Sequence, residues 1–169
     1  MFERFFPDEY LDSAYVVNYK ELYQEGYRGL LFDVDNTLVP HGAPADERAI
    51  QLFKELRDIG FSSCLVSNNK KKRVAPFASL VGAEYIELAA KPSRRGYERA
   101  MERLGTNPGN TVFIGDQLFT DVWGANRAGI RTYLVKPIDR HEEIQIILKR
   151  YLEKIVLWFY ARSKNDRRS

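Results

Sequence analysis

Asp33 and Asp35 stand one valine apart in LFDVDNTLV, residues 31–39, where a run of apolar side chains gives way to carboxylates. A carboxylate at the end of a buried strand is costly unless it is paired, hydrogen-bonded or bound to a metal, so this pair calls for a cation. Other polar clusters follow along the chain. SNN, Ser67 to Asn69, ends the run FSSCLV; Lys91 opens KPS; and Asp116 and Asp121 bracket GDQLFTD.

The segments between these clusters have to bring them together. From Gly29 onward, short apolar runs alternate with amphipathic stretches, the rhythm of a parallel α/β sheet. GLLFDVD reads as a strand and residues 45–59 as a helix with Ile50, Phe53 and Leu56 on one face, closed by Gly60. FSSCLVS is a second strand. A helix after Asn69 carries Val74, Phe77 and Val81 at helical spacing, and AEYIE is a short third strand. SRRGYERAMERL is a helix, NPG a turn, and TVFIG a strand whose continuous apolar character suits burial on both faces. DVWGANRAG is a short helix ended by Gly129, and RTYLVK a fifth strand. DVDNT, SNN and GDQLFTD then all follow strands. Ligands of open parallel sheets gather outside the carboxyl ends of the strands, so these clusters converge on one site.

Composition sets the frame. A chain of 169 residues with 44% apolar and 29% charged residues is ordinary for one globular domain. Its single cysteine, Cys64, forms no intramolecular disulfide, which favours a cytoplasmic address, and reads as a small buried hydrophobe. MFERFFPDEY lacks the apolar core of a signal peptide, and no apolar run approaches the roughly 20 residues that span a bilayer. A net charge of +3 names no partner.

DVDNT, the serine ending the second strand, the lysine of KPS and GDQLFTD together resemble the four motifs of the haloacid dehalogenase (HAD) superfamily of phosphohydrolases. LFDVDNTLVP, VSNN, KPS and GDQLFTDVWGANRAG are closer still to its YqeG-like branch, subfamily IIIA, and the likeness runs from about Phe5 to Ile138. It implies a Rossmann-like three-layer α/β/α fold and a phosphomonoesterase. Asp33 is then the nucleophile that forms an aspartyl-phosphate, and Asp35 protonates the leaving oxygen and later activates water. Asn36 and Thr37 suit the bend that lets both carboxylates face one phosphate. The implied cofactor is Mg²⁺, held by Asp33, the carbonyl of Asp35 and Asp116. Asp121 either touches the metal through water or caps a helix. Lys91 steadies Asp33 and the phosphoryl oxygens. Ser67 and the amides around Asn68 donate to the same oxygens, although SNN also reads as a plain helix cap.

Only 34 positions separate Asp33 from Ser67, and 24 separate Ser67 from Lys91, all used by core elements. Neither gap holds an inserted cap domain, and the expected site is open to solvent, awaiting a bulky substrate or a neighbouring subunit. The expected division is an amphipathic segment over 1–27, a phosphatase core over 28–138, and a helix with a basic tail over 139–169.

That last stretch carries Ile144, Leu148, Tyr151, Ile155, Trp158 and Phe159 at helical spacing, then Arg162, Lys164, Arg167 and Arg168 against Asp166. It reads either as a core helix packed on the sheet or as a helix lying on an anionic membrane, with the phenylalanines of MFERFF beside it. KKKR, Lys70 to Arg73, is either a solvated helix start or a patch for lipid headgroups or RNA. Branch relatives that hydrolyse phosphatidylglycerophosphate make that lipid the leading substrate, with peripheral membrane association. A binding protein for RNA or ribosome assembly and a soluble phosphatase closed by oligomerisation are the alternatives.

Overall fold

The computed structural model describes residues 2–139 and 144–166, the side chains of 144–148 and 164–166 lying outside that description. Six parallel strands form one sheet in the order β1-β6-β5-β2-β3-β4. They are β1 (Glu9–Leu11), β2 (Gly29–Phe32), β3 (Ser62–Val66), β4 (Glu84–Ile86), β5 (Thr111–Gly115) and β6 (Arg131–Val135). The chain moves outward from β2 to one edge through β3 and β4, then to the other through β5 and β6. The ends of the central strands are therefore the crevice where a parallel sheet places its ligand.

Helices cover both faces. On one, α1 (Tyr19–Gln24), α2 (Glu47–Ile59) and α3 (Lys71–Val81) press Leu22, Phe53, Leu56, Val74 and Phe77 against Leu30, Phe32, Leu65 and Ile114. On the other, α4 (Arg94–Leu104) and α5 (Trp123–Arg127) bring Tyr97, Ala100, Met101 and Ala125 to Leu31, Cys64, Val66 and Phe113. Alternation along β2 sends Leu30 and Phe32 one way and Leu31 the other, the period-2 consequence of a strand buried on both sides. Gly60 ends α2 at φ 116°, as its position predicts. The inward stripe of α2 is Ala49, Leu52, Phe53 and Leu56, whereas Ile50 is exposed. Heptad-like counting places Ile50 inside only if the stripe is widened by a residue.

β1 lies outside the five strands expected from the sequence. Three residues among polar neighbours carry no periodic signal; pairing with β6, from Glu9 opposite Tyr133 to Leu11 opposite Val135, makes the strand. The last helix, α6 (Ile144–Asp166), packs Val156 and Leu157 with Leu118, Val122 and Leu134, and Phe2, Phe5 and Phe6 join that cluster. Phe2 stacks on Phe159 and Phe6 meets Tyr160 edge-on, both at 5.4 Å, so the two ends of the chain dock together.

Candidate active site

Register places the site. Phe32 lies between Ile114 and Leu65, so the next residue, Asp33, emerges beside the ends of β5 and β3, and its amide donates to the Ile114 carbonyl at 3.0 Å. Beyond Asp33 the chain folds back: Leu38 and Thr37 amides donate to the Val34 carbonyl, and Asn36 takes a left-handed conformation at φ 63°. Asparagine tolerates that region better than most residues. This bend carries Asp35 to a different set of partners from Asp33.

Lys91 is the hub of the buried charges. Its Nζ donates to Asp33 Oδ1 and to Asp121 Oδ1, each at 2.6 Å, and its side chain is 3% exposed. Residues before it are strained into position: Leu88 and Ala90 both have positive φ, and the Leu88 and Ala89 amides donate to the Asn69 and Ser67 carbonyls. Asn68 grips the Lys91 backbone from both sides, accepting from its amide at 2.7 Å and donating to its carbonyl at 3.2 Å. The Asn68 side chain thus fixes Lys91. Ser67 Oγ accepts the Asn69 amide at 3.1 Å.

Asp116 and Asp121 complete the cluster. Oxygens of Asp33, Asp116 and Asp121 all lie within 4.8 Å of one another, and all three residues are buried. Asp121 Oδ2 accepts the Gln117 amide at 3.0 Å, tying the π-helical turn Leu118–Val122 to the residue before it, so its carboxylate braces the turn and belongs to the acidic group. Gly115 makes room for it: a β-carbon there would stand 2.5 Å from Asp121 Oδ2. Asp116 accepts from Thr37 Oγ1 at 3.3 Å and from Arg150 Nη2 at 2.6 Å.

Burial and crowding set the proton affinities. Burial, reinforced by Asp121, outweighs the Lys91 charge and lifts the Asp33 carboxyl from 3.8 to about 7. Asp116 is pushed well above the usual carboxylate range by burial and by the charges of Asp33 and Asp121, against the pull of Arg150. Burial opposes the charge on Lys91, but Asp121 and Asp33 more than compensate and raise its pKa. For Asp35, burial acts upward and loses to the hydrogen bond and charge of Arg73 and the Gly42 amide, which hold it below its ordinary value. Its carboxylate accepts from Arg73 and Asn69 at 2.7 Å and from the Gly42 amide at 2.8 Å.

A cavity of about 120 Å³ opens at this point, walled by Asp33, Asp35, Ser67, Lys91, Gln117 and Thr120 among others. No domain is inserted between Asp33 and Ser67 or between Ser67 and Lys91, where α2 with β3 and α3 with β4 fill the chain. The expectation of a metal site exposed within one subunit is corrected. Asp116 and Asp121 are each 1% exposed, because α6 lays Arg150 over Asp116 and Lys91 covers Asp121. Arg150 is not among the expected site residues, and Arg73 is expected only as part of the basic KKKR patch. A basic run at a helix start and a lone arginine far along the chain show their partners only once the chain is folded.

A HAD-hydrolase-like family model matches residues 88–143. The "Probable phosphatase YqeG" of Bacillus subtilis is 35% identical over 159 residues, covering 93% of this chain and 92% of the relative. This chain belongs to the YqeG family of HAD-like phosphatases. It is therefore a phosphoric monoester hydrolase by family. The YqeG-family chain is also 25% identical to phosphatidylglycerophosphate phosphatase 1 of Arabidopsis thaliana, covering 82% of itself and 45% of that relative. Among solved structures, a putative 3-deoxy-D-manno-octulosonate 8-phosphate phosphatase from Vibrio cholerae superposes with a TM-score of 0.55 at 15% identity, over 71% of this chain and 72% of that one. That likeness speaks for the fold.

Proposed function

We propose that this YqeG-family protein is an Mg²⁺-dependent phosphomonoesterase that works through an aspartyl-phosphate on Asp33, on a bulky or lipid phosphate such as phosphatidylglycerophosphate. The observation that carries the reading is Asp33: a buried carboxylate in the cavity wall, held by Lys91 and clustered with Asp116 and Asp121.

The donor set fits a hard divalent cation, since three carboxylates within 4.8 Å supply oxygen ligands and repel one another without positive charge among them. Asp33, Asp116 and Asp121 are the side chains that would hold it; the Asp35 carboxylate is engaged with Arg73, Asn69 and Gly42. When bound, Mg²⁺ offsets the repulsion between an anionic nucleophile and an anionic phosphate.

The rest belongs to the chain. Lys91 aims Asp33 Oδ1 and supplies a cation for phosphoryl oxygens, and the Ser67 hydroxyl offers a donor in the same cavity. An Asp33 oxygen bonds to phosphorus as the ester oxygen departs with a proton from Asp35. Water then attacks the phosphorus, gives its proton to Asp35 and releases phosphate as the Asp33 oxygen–phosphorus bond breaks. Arg73 holds Asp35 in a form that carries a proton poorly. A substrate phosphate that draws Arg73 away would raise the proton affinity of Asp35 at the moment the leaving oxygen needs it.

Two features support a lipid substrate at a membrane surface. The outward face of α6 exposes Tyr151, Leu152, Ile155, Trp158 and Phe159, with Lys154 over Tyr151 and Arg162 over Trp158. Lys70, Lys71 and Lys72 are exposed at the start of α3, next to the Arg73–Asp35 pair. Each basic residue near an anionic leaflet adds on the order of 1 kcal/mol of attraction. Arg167 and Arg168, expected to serve the same surface, lie outside the described residues, as do the side chains of Ile144, Leu148, Lys164 and Asp166. Among the described residues no helix is long and apolar enough to cross a membrane. The RNA-binding alternative draws on the same lysines and gives no reason for the buried acidic cluster.

The test is hydrolysis by the purified protein, with Mg²⁺, of a phosphate panel that includes phosphatidylglycerophosphate in mixed micelles. Expected are release of phosphate from the lipid and its loss in Asp33→Asn with the fold retained. Full turnover by that variant, or by protein stripped of divalent ions, would sink the mechanism; hydrolysis confined to small soluble phosphates would sink the substrate.

A further inference from the structure

Arg150 reaches the acidic cluster from outside the sheet. Its Nη2 donates to Asp116 Oδ2 and its Nη1 to the Asp116 carbonyl, both at 2.6 Å, so one guanidinium holds the side chain and the main chain of the same residue. The fork is itself braced: Nη1 also donates to Glu153 Oε2 at 3.0 Å, and Glu153 Oε1 accepts the Leu118 amide at 3.0 Å. Arg150 and Glu153 thus latch α6 to the turn that carries Asp116, Leu118 and Asp121.

Apolar contacts join the latch in holding α6. Val156 is its one fully buried apolar side chain among the described residues, with Leu157 packed beside it, while five large apolar residues face outward. Between α6 and the sheet edge lies a cleft of about 500 Å³, walled by Tyr10, Leu134, Val135 and Leu157 and including Asp116 and Arg150. The polar latch adds to the packing of Val156 and Leu157 and to the ring contacts of Phe159 with Phe2 and of Tyr160 with Phe6.

We propose that Arg150 is a positioning residue that competes with the divalent cation for Asp116, so that cation binding and the docking of α6 oppose each other. The inference rests on the metal reading of Asp33, Asp116 and Asp121 given above. A guanidinium 2.6 Å from a buried carboxylate oxygen repels any further positive charge drawn to that carboxylate, and water screens the repulsion little there. Asp116 Oδ1 has Thr37 as its partner at 3.3 Å, so among the described residues Arg150 is the charged group that donates to the Asp116 carboxylate. Linkage makes the effect reciprocal: whatever Arg150 subtracts from cation affinity, the cation subtracts from the hold of Arg150. A loosened α6 widens the cleft beside Asp116, which gives a bulky substrate room in a fold without a cap.

Two measurements test this on the full chain. Calorimetric titration with Mg²⁺ should show binding to Arg150→Met that is about tenfold tighter than to the unaltered protein, with Arg150→Lys close to the latter because the charge is kept. A merely structural Arg150 would leave cation affinity equal or weaker on removal. Amide hydrogen exchange on the unaltered protein needs no variant: saturating Mg²⁺ should speed exchange over residues 151–163. Equal or weaker binding by a folded Arg150→Met, or slower exchange of α6 with Mg²⁺, would overturn the proposal and leave the metal reading standing. No Mg²⁺ binding by either protein would overturn both.

Discussion

Two cations serve the acidic cluster, and they are held in opposite ways. Lys91 belongs to the core: its side chain is 3% exposed, its backbone is clasped by Asn68, and it stands on a loop between β4 and α4 whose conformation leaves it nowhere else to go. Arg150 is 18% exposed and arrives on a helix with an exposed apolar outer face. Both pair with buried carboxylates at 2.6 Å. The shared distance conceals a difference in what breaks when each is removed. Lys91 is built into the sheet's own ligand crevice, whereas Arg150 is delivered to it and can be withdrawn.

Substitution should expose that difference. Lys91→Met leaves Asp33 and Asp121 together and unpaired, and breaking a buried pair this way costs about 3–5 kcal/mol, read as a lowered denaturation midpoint in urea. Arg150→Met should cost less, about 1–3 kcal/mol, since Arg150 is partly exposed and Asp116 keeps the Thr37 hydroxyl as a donor. Equal losses for the two would erase the distinction.

A pH series sharpens it from the carboxylate side. Asp33 binds its proton with a pKa of about 7 in the folded chain against 3.8 ordinarily, so between those values the folded state holds more protons than the unfolded one. Stability is therefore expected to fall as pH rises from about 4 to about 7 in chelator, and to fall less steeply in Asp33→Asn. A thermal melting temperature that climbs over the same range would contradict the crowding of charge at this pole. Arg73→Met should matter least to folding, within about 1 kcal/mol, because the Arg73–Asp35 pair is partly exposed on both sides. Its effect belongs to turnover: freeing Asp35 of its partner should shift the acid limb of the pH–rate profile upward. An unchanged limb would remove Arg73 from the proton chemistry.

What the sequence makes legible follows from how each group is positioned. Asp33, Ser67 and Asp116 each follow a strand with a strong apolar signal, so reading the strands places the residues. The five expected strands, and the central place of the one before Asp33, are visible for the same reason. Asp121 is harder, because a carboxylate within a turn can bond the turn's backbone whether or not it faces a cluster; the backbone of Gly115 and the position of Lys91 make it do both. Arg150 and Arg73 find their carboxylates 34 and 38 positions away, and no local period encodes such a pairing. One side of the last helix packs on the core, as the first of its two readings expects. Glu153 and Val156 face the core, and Tyr151, Ile155 and Trp158 face out.

The pairing of β1 with β6 has a consequence for how the chain is made. Glu9 waits for Tyr133, so the residues of β1 cannot settle until almost the whole sheet has been synthesised. At translation rates of about 5–20 residues per second the delay is on the order of ten seconds. Through that interval Phe2, Phe5 and Phe6 lack the α5 and α6 rings that later cover them, Trp123, Phe159 and Tyr160. A nascent aromatic segment left uncovered for so long is exposed to the contacts that chaperones prevent, and long-range closure of this kind slows folding.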